Sequence, residues 1–196
     1  MTALAMAARR YRLADFYELT KPRIAFLVVM TAVVGFLAGS DGAIGWVTLG
    51  HLAVGTALCA AAAGALNQVL ERDIDARMHR TMDRPIPAGR ISAGEGSAFG
   101  VGVAVGSCVY LLVFVGWLTA LLAVATLVGY LLVYTPLKKV TWWNTIVGAV
   151  PGALPPVGGW AAARGNLGPE AAYLFAILFV WQLPHFLAIA WMYRED

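Results

Sequence analysis

Charge is what this sequence has least of. Asp, Glu, Lys and Arg make up only 13% of its 196 residues, against roughly 25% in an ordinary soluble domain. Beside 60% hydrophobic residues, that scarcity excludes a soluble globular chain and leaves an integral protein of the lipid bilayer. Cysteine is nearly absent too. Cys59 and Cys108 both fall inside apolar stretches, which excludes a disulfide framework and a zinc-ligand spacing. No glycine-rich phosphate loop occurs, so a P-loop nucleotide site is excluded. The short alternating segments of a transmembrane β-barrel are missing as well. The opening "MTALAMAARRYRLADFYELTKPR" carries charges where a secretory signal would be apolar, so the first span is expected to direct the chain to the membrane.

What the chain has is long apolar runs. Six approach the roughly 20 residues a spanning helix needs: Ile24–Ser40, Trp46–Leu70, Ala98–Val115, Leu118–Tyr134, Trp143–Ala162 and Ala171–Tyr193. The uncharged stretch from Gly96 to Leu137 is too long for one span and splits near Gly116 and Trp117 into a helical hairpin. The expected fold is all-α, a polytopic transmembrane helical bundle forming a single integral-membrane domain over residues 1–196. Arg9, Arg10, Arg12, Lys21 and Arg23 precede the first span, and Arg72, Arg77, Arg80, Arg84 and Arg90 follow the second. Lys138, Lys139 and Arg194 lie on the same side, and only Arg164 falls opposite. The positive-inside bias therefore places the N-terminus and residues 71–97 in the cytoplasm. A net charge of +3 speaks for orientation and anionic ligands, not for nucleic acid.

The scarce charges gather in one stretch, "NQVLERDIDARMHRTMDRPIPAG", residues 67 to 89. Asn67, Glu71 and Asp75 are spaced i, i+4, i+8. On a helix continued to about residue 75 they share one face and climb about 6 Å per step, while Asp73 points elsewhere. Such a ladder of hard oxygen donors suits Mg²⁺, which takes few protein ligands and leaves the rest to water and phosphate. A blander reading is a solvated helix end with local pairs, Asp73 with Arg77 and Asp75 with His79. Against it, the ladder begins inside the apolar run, where polar groups are costly, and the basic residues Arg80, Arg84 and Arg90 follow. Carboxylates holding a metal, with arginines beside them, suit a diphosphate, and inside an apolar bundle that diphosphate carries an isoprenoid tail. The chemistry expected from the residues is ionisation of an allylic diphosphate.

The same stretch resembles the first acidic motif of the UbiA superfamily of intramembrane prenyltransferases, with Glu71 where many relatives carry Asp. "LTKPRI" at 19–24, "ERDIDARMHRT" at 71–81, "RPIPAGRIS" at 84–92, "YTPLKKVTWWNTIVGAVPGALPPVGGW" at 134–160 and "PHFLAIAWMYRED" at 184–196 are similar to its haem branch, the protoheme IX farnesyltransferases or haem O synthases. The resemblance implies transfer of farnesyl from farnesyl diphosphate to a vinyl group of haem b, in the cytoplasmic membrane of a bacterium. It implies Asn67, Glu71 and Asp75 as catalytic and metal ligands for Mg²⁺ or Mn²⁺, with Arg80 and Arg84 as basic companions. Tyr134, Lys138 and Asn144 match a block that closes over the diphosphate, with Lys139 the neighbouring alternative. Asp196 opens a second acidic, metal-binding motif. Haem A synthase or oxidase assembly factors are the further partners it implies. Family members have nine helices against six here, so the last third, with half of the second acidic site and one wall of the cavity, is expected to be missing or to lie in another segment. That expectation puts the activity of these residues alone in question.

His185 follows Pro184 in the sixth span and has two readings: contact with haem iron or a propionate, or satisfaction of a kinked helix. Its "WQLPHF" departs from the Pro-Pro pair of many haem-branch sequences. His51 is expected to be structural and His79 solvent-accessible. "PGALPPVGGW" in the fifth span is expected to serve close packing, with cavity shaping as a by-product. Trp46, Trp117, Trp160 and Trp191 suit an interfacial aromatic belt. The rival functions are an aromatic prenyltransferase acting on a quinone precursor, a small-cation or metabolite transporter, and a haem-binding scaffold without catalysis.

Overall fold

The computed structural model describes residues 12–194, and among them every regular element is helical. A surface helix α1 (residues 12–19) is followed by α2 (Pro22–Gly39), α3 (Trp46–Asp75), α4 (Ala93–Phe114) and α5 (Trp117–Val128). A π-helical turn, Gly129–Tyr134, joins α5 to the short α6 (Thr135–Leu137), and α7 (Asn144–Arg164) and α8 (Pro169–Met192) complete the chain. Six of these segments are long and apolar enough to cross a bilayer, with α5 through α6 acting as one. The protein is a multi-pass membrane protein, as the apolar runs indicate.

The spans expected from sequence are all present, with two instructive differences at their ends. α4 starts at Ala93 rather than Ala98 because Ser92 and Glu95 form a reciprocal capping box, a Ser-x-x-Glu signal that the apolar run conceals. α3 continues past the apolar run to Asp75. Its 30 residues extend about 45 Å, while the hydrocarbon core is about 30 Å thick. With Trp46 at the opposite interface, the last turns of α3 carry Asn67, Glu71 and Asp75 to the membrane rim. The hairpin between α4 and α5 turns at Gly116, whose φ of 144° only glycine adopts without strain.

Five spans close a ring in the order α2, α3, α4, α5, α7 and back to α2, and α8 packs outside it on α7. The central helix is α7, with 56% of its span buried against 6% for α8. α2 and α7 cross at backbone contact. A Cβ on Gly159 would lie 1.9 Å from the Ala32 carbonyl oxygen, and one on Gly35 would lie 1.9 Å from that of Pro156. Small residues at such a crossing are how membrane helices gain van der Waals contact when lipid provides no hydrophobic drive. The "PGALPPVGGW" segment thus packs as expected, and it also shapes the cavity, which Pro151, Pro155 and Gly158 line. Trp46, Trp117 and Trp191 are exposed, as an interfacial belt requires, but Trp160 is not. Trp160 is buried against Val157 and Ala171, because the face of α7 that carries it is covered by α8.

Ion pairs fasten the end of the bundle that carries the ladder. Arg90 bonds Asp15 at 2.7 Å and Glu18 at 3.0 Å, and Arg12 pairs with Glu95, so α1 is held to the loop between α3 and α4. At the opposite end Arg164 meets Asp41 at 3.2 Å. Cys59 and Cys108 are free thiols.

Candidate active site

The ladder is buried, not solvated. Asn67 is 2%, Glu71 9% and Asp75 4% exposed, whereas the Asp73 side chain is 81% exposed and pairs with its neighbour Arg72. The partners of the ladder come from three separate segments. Asn67 Nδ2 donates to Glu71 Oε2 at 2.9 Å, and Lys21 Nζ donates to Asn67 Oδ1 at 2.8 Å. Lys138 Nζ donates to Glu71 Oε1 at 3.0 Å and to Oε2 at 3.3 Å. Arg84 bonds Asp75 Oδ2 at 2.7 Å, and Thr81 Oγ1 donates to the Asp75 carbonyl at 2.8 Å, which folds the 76–92 loop back onto the helix end. The local pairs of the blander reading are replaced by these long-range ones.

Lys21 was not among the residues singled out for this site from sequence. It precedes Pro22 in a left-handed conformation, φ 49° and ψ 59°, which turns the chain from α1 into α2 and aims the side chain at α3. Gly64 makes the approach possible, since a Cβ there would sit 3.1 Å from the Leu19 carbonyl oxygen. Burial, and then the charge of Arg84, lower the Lys21 ammonium from its usual value to about 8. "LTKPRI" was the available signal, but no periodicity links residue 21 to residue 67.

On the far wall the π-turn ends at Tyr134, two residues before Pro136. A proline in a helix cannot donate its backbone hydrogen bond and crowds the carbonyl four residues back, and the widened turn relieves both. Thr135 Oγ1 donates to the Tyr130 carbonyl at 2.8 Å and helps hold it. Tyr130 and Tyr134 stack, with ring centres 5.5 Å apart, and the Lys138 ammonium lies 4.8 Å from the Tyr134 ring centre. The Tyr134 ring rests on Gly148 of α7, where a Cβ would come within 2.5 Å of it.

Beneath the ladder lies a cavity of about 330 Å³. Its mouth is marked by Lys21, Gly64, Tyr134 and Gly148, and it descends past Cys59 and Leu127 to Leu52 and Leu111. Among the described residues Lys21 is the one charged side chain lining it. The arrangement is an apolar well under a polar rim with three cations facing two carboxylates, a surplus of positive charge that an anion would complete.

The other expected residues fall at varied distances from this rim. Arg80 is exposed, with its guanidinium 4.8 Å from the Tyr193 ring centre. Lys139 is exposed. Asn144 begins α7, half-buried, and its amide donates to the Thr141 carbonyl at 2.7 Å. His185 is exposed on α8 and stacks on Trp181, with ring centres 4.9 Å apart, while Gln182 and Phe186 face the cavity. His51 is structural, bonded to the Tyr110 hydroxyl at 2.7 Å and stacked on Phe114, and His79 is exposed. Asp196 lies outside the described residues.

The donor chemistry can be tested against a divalent cation. Among the described residues no three His, Cys, Asp or Glu side chains cluster as an all-protein cage. The set is one amide oxygen and two carboxylates, with the Lys21 and Lys138 ammonium groups standing in as cations on Asn67 and Glu71. A sparse oxygen set of this kind fits Mg²⁺ or Mn²⁺ shared with a phosphate, and does not fit a self-sufficient structural metal.

A polytopic helical bundle with a buried acid ladder over an apolar well is what the fold and rim define, and residues 28–196 place it: the chain belongs to the UbiA prenyltransferase family. It is 49% identical to the protoheme IX farnesyltransferase of Solibacter usitatus, over 93% of this chain and 65% of that one. It is 50% identical to the protoheme IX farnesyltransferase of Koribacter versatilis, over 94% of this chain and 60% of its relative. The likeness to the protein of that name from Opitutus terrae is 46%, over 96% and 64%. The chain therefore spans somewhat under two thirds of the length of these relatives. A solved structure of a digeranylgeranylglyceryl phosphate synthase superposes with a TM-score of 0.79 at 17% identity, over 92% of this chain and 63% of that one, and shows a shared fold. The resemblance read from the ordered motifs is borne out.

Proposed function

We propose that this chain is the larger part of a haem O synthase, which transfers the farnesyl group of farnesyl diphosphate to a vinyl group of haem b. The observation that carries the proposal is the buried Asn67, Glu71, Asp75 ladder capped by Lys21, Lys138 and Arg84 directly above an apolar cavity. The likeness to relatives named protoheme IX farnesyltransferase supports this branch over a quinone-precursor transferase. A transporter would need polar groups along a path through both faces, whereas the charges here gather at one.

In this reading the diphosphate sits at the rim and the prenyl chain fills the well. Asn67, Glu71 and Asp75 would hold Mg²⁺ or Mn²⁺, and what that cation supplies when bound is neutralisation of the pyrophosphate charge as the allylic C–O bond breaks. Lys21, Lys138 and Arg84 are then released from the ladder toward phosphate oxygens, where charge-assisted hydrogen bonds are strongest in the charge-separated transition state. Tyr134 holds the Lys138 ammonium over its ring, and its ring face, with that of Tyr130, stabilises the allylic cation. The apolar walls exclude water until the vinyl carbon attacks that cation, and water entering afterwards adds to the second cation and gives up one proton to the released pyrophosphate, leaving a hydroxyl group. Arg80, Asn144 and Lys139 are proposed as outer diphosphate contacts, Asp196 as the start of a second metal motif, and His185 as the histidine offered to haem. The basic side of the bundle is the cytoplasmic face of a bacterial inner membrane.

Membranes bearing the complete protein test this directly. Added haem b and farnesyl diphosphate should yield a more hydrophobic haem, and chelation of divalent metal should stop its formation. Product formation from a hydroxybenzoate acceptor and none from haem would transfer the assignment to the quinone branch.

A further inference from the structure

We infer that Leu52 and Leu111 form a fixed floor to the well, and that this floor limits the prenyl chain to three isoprene units. The inference rests on the prenyl-diphosphate reading of the site and adds the residues that choose among prenyl chains.

The α3 wall of the cavity is one helix face, Leu52, Thr56, Cys59, Ala60, Ala63 and Gly64. From Gly64 at the mouth to Leu52 the helix descends twelve residues, about 18 Å. A fully extended carbon chain advances about 1.25 Å per bond, so the twelve chain carbons of a farnesyl group span about 14 Å and a fourth isoprene unit adds about 5 Å. The leucine side chains that cover the bottom take up what remains. Three units fit, and a fourth meets the floor.

The floor is not a loose plug. Leu52 and Leu111 are each 1% exposed. Leu111 is seated in the notch left by Gly55 on α3, where a Cβ would fall 2.3 Å from its Cδ2. Behind Leu52 stand Ala32 and Phe36, with Leu49 and Val115 packed against them. A terminal isoprene could pass only by displacing this packed cluster, and close-packed interiors resist that. Thr56 lies one turn above Leu52 on the same face, so a larger side chain there raises the floor.

The test is a competition in vesicles containing the complete protein, haem b and an equimolar mixture of geranyl, farnesyl and geranylgeranyl diphosphates, with the alkylated haems separated by mass. The unaltered protein should favour farnesyl. Leu111→Ala and Leu52→Ala should each raise the geranylgeranyl to farnesyl ratio by about tenfold or more, the discrimination a hydrophobic wall typically gives. Thr56→Leu should move the ratio toward geranyl, and because it empties no core position it keeps the test open if a leucine variant fails to accumulate. Active variants with unchanged product ratios overturn the floor while leaving the prenyltransferase reading intact. An unaltered protein that transfers none of the three chains overturns that reading and the floor with it.

Discussion

Lys138 Nζ stands 3.0 Å from Glu71 Oε1, so the C-terminal end of the fourth span closes over a carboxylate at the end of the second. The contact joins two motifs 67 residues apart and places a cation where a departing pyrophosphate would need one. In the complete protein Lys138→Met should lower kcat by about 10²-fold, the usual cost of losing one donor to a developing anion. Lys138→Arg should recover part of it. Steady-state rates of haem alkylation check this, and a K138M enzyme with unaltered kcat would remove Lys138 from the transition state.

Asp75 and Arg84 form the more structural pair. Replacing one member of a fully buried ion pair costs about 3–5 kcal/mol. The Arg84 side chain keeps 24% of its surface exposed, which brings the expected loss for Asp75→Asn to about 2 kcal/mol. Thermal unfolding in detergent should show the loss, and Arg84→Lys should lose less than Arg84→Met.

At the α2–α7 crossing no side chain can be inserted without moving a backbone. Gly159→Ala would press a methyl group against the Ala32 carbonyl and should destabilise at the upper end of the roughly 1–3 kcal/mol typical of overpacking. Ala163→Gly on the same helix serves as a control, since it removes atoms rather than adding them. Detergent melting curves of the two variants should separate clearly.

Much of this architecture was legible because membrane spans are written in composition, which requires no knowledge of tertiary contacts. The hairpin at Gly116 followed from length, and the ladder from a four-residue spacing on one helix. Lys21 was hidden because its role depends on a left-handed residue and on the space that Gly64 leaves on another helix. The π-turn was hidden because Pro136 signals disturbance without saying how the chain accommodates it. Trp160 was misread as an interfacial residue because its depth alone does not reveal that α8 covers it. Asn144 was expected to close over the diphosphate, and in this structure its amide serves the 141–144 turn.

Lys21 supplies a further check, because its position was read from structure and not from the motif. Lys21→Met should raise the KM for farnesyl diphosphate about tenfold, while the haem b optical titration stays unchanged. A shift in haem affinity with no change toward the diphosphate would move Lys21 to the acceptor side of the site.

The central claim is that the α3 ladder acts on a diphosphate and not merely as a buried polar network. Glu71→Gln tests it most directly, because the amide keeps the shape and the Asn67 contact but removes the charge. With the complete protein in vesicles, haem b binding and farnesyl transfer are measured side by side. The account predicts haem binding unchanged and transfer reduced by about 10²-fold or more; transfer at the unaltered rate would contradict it.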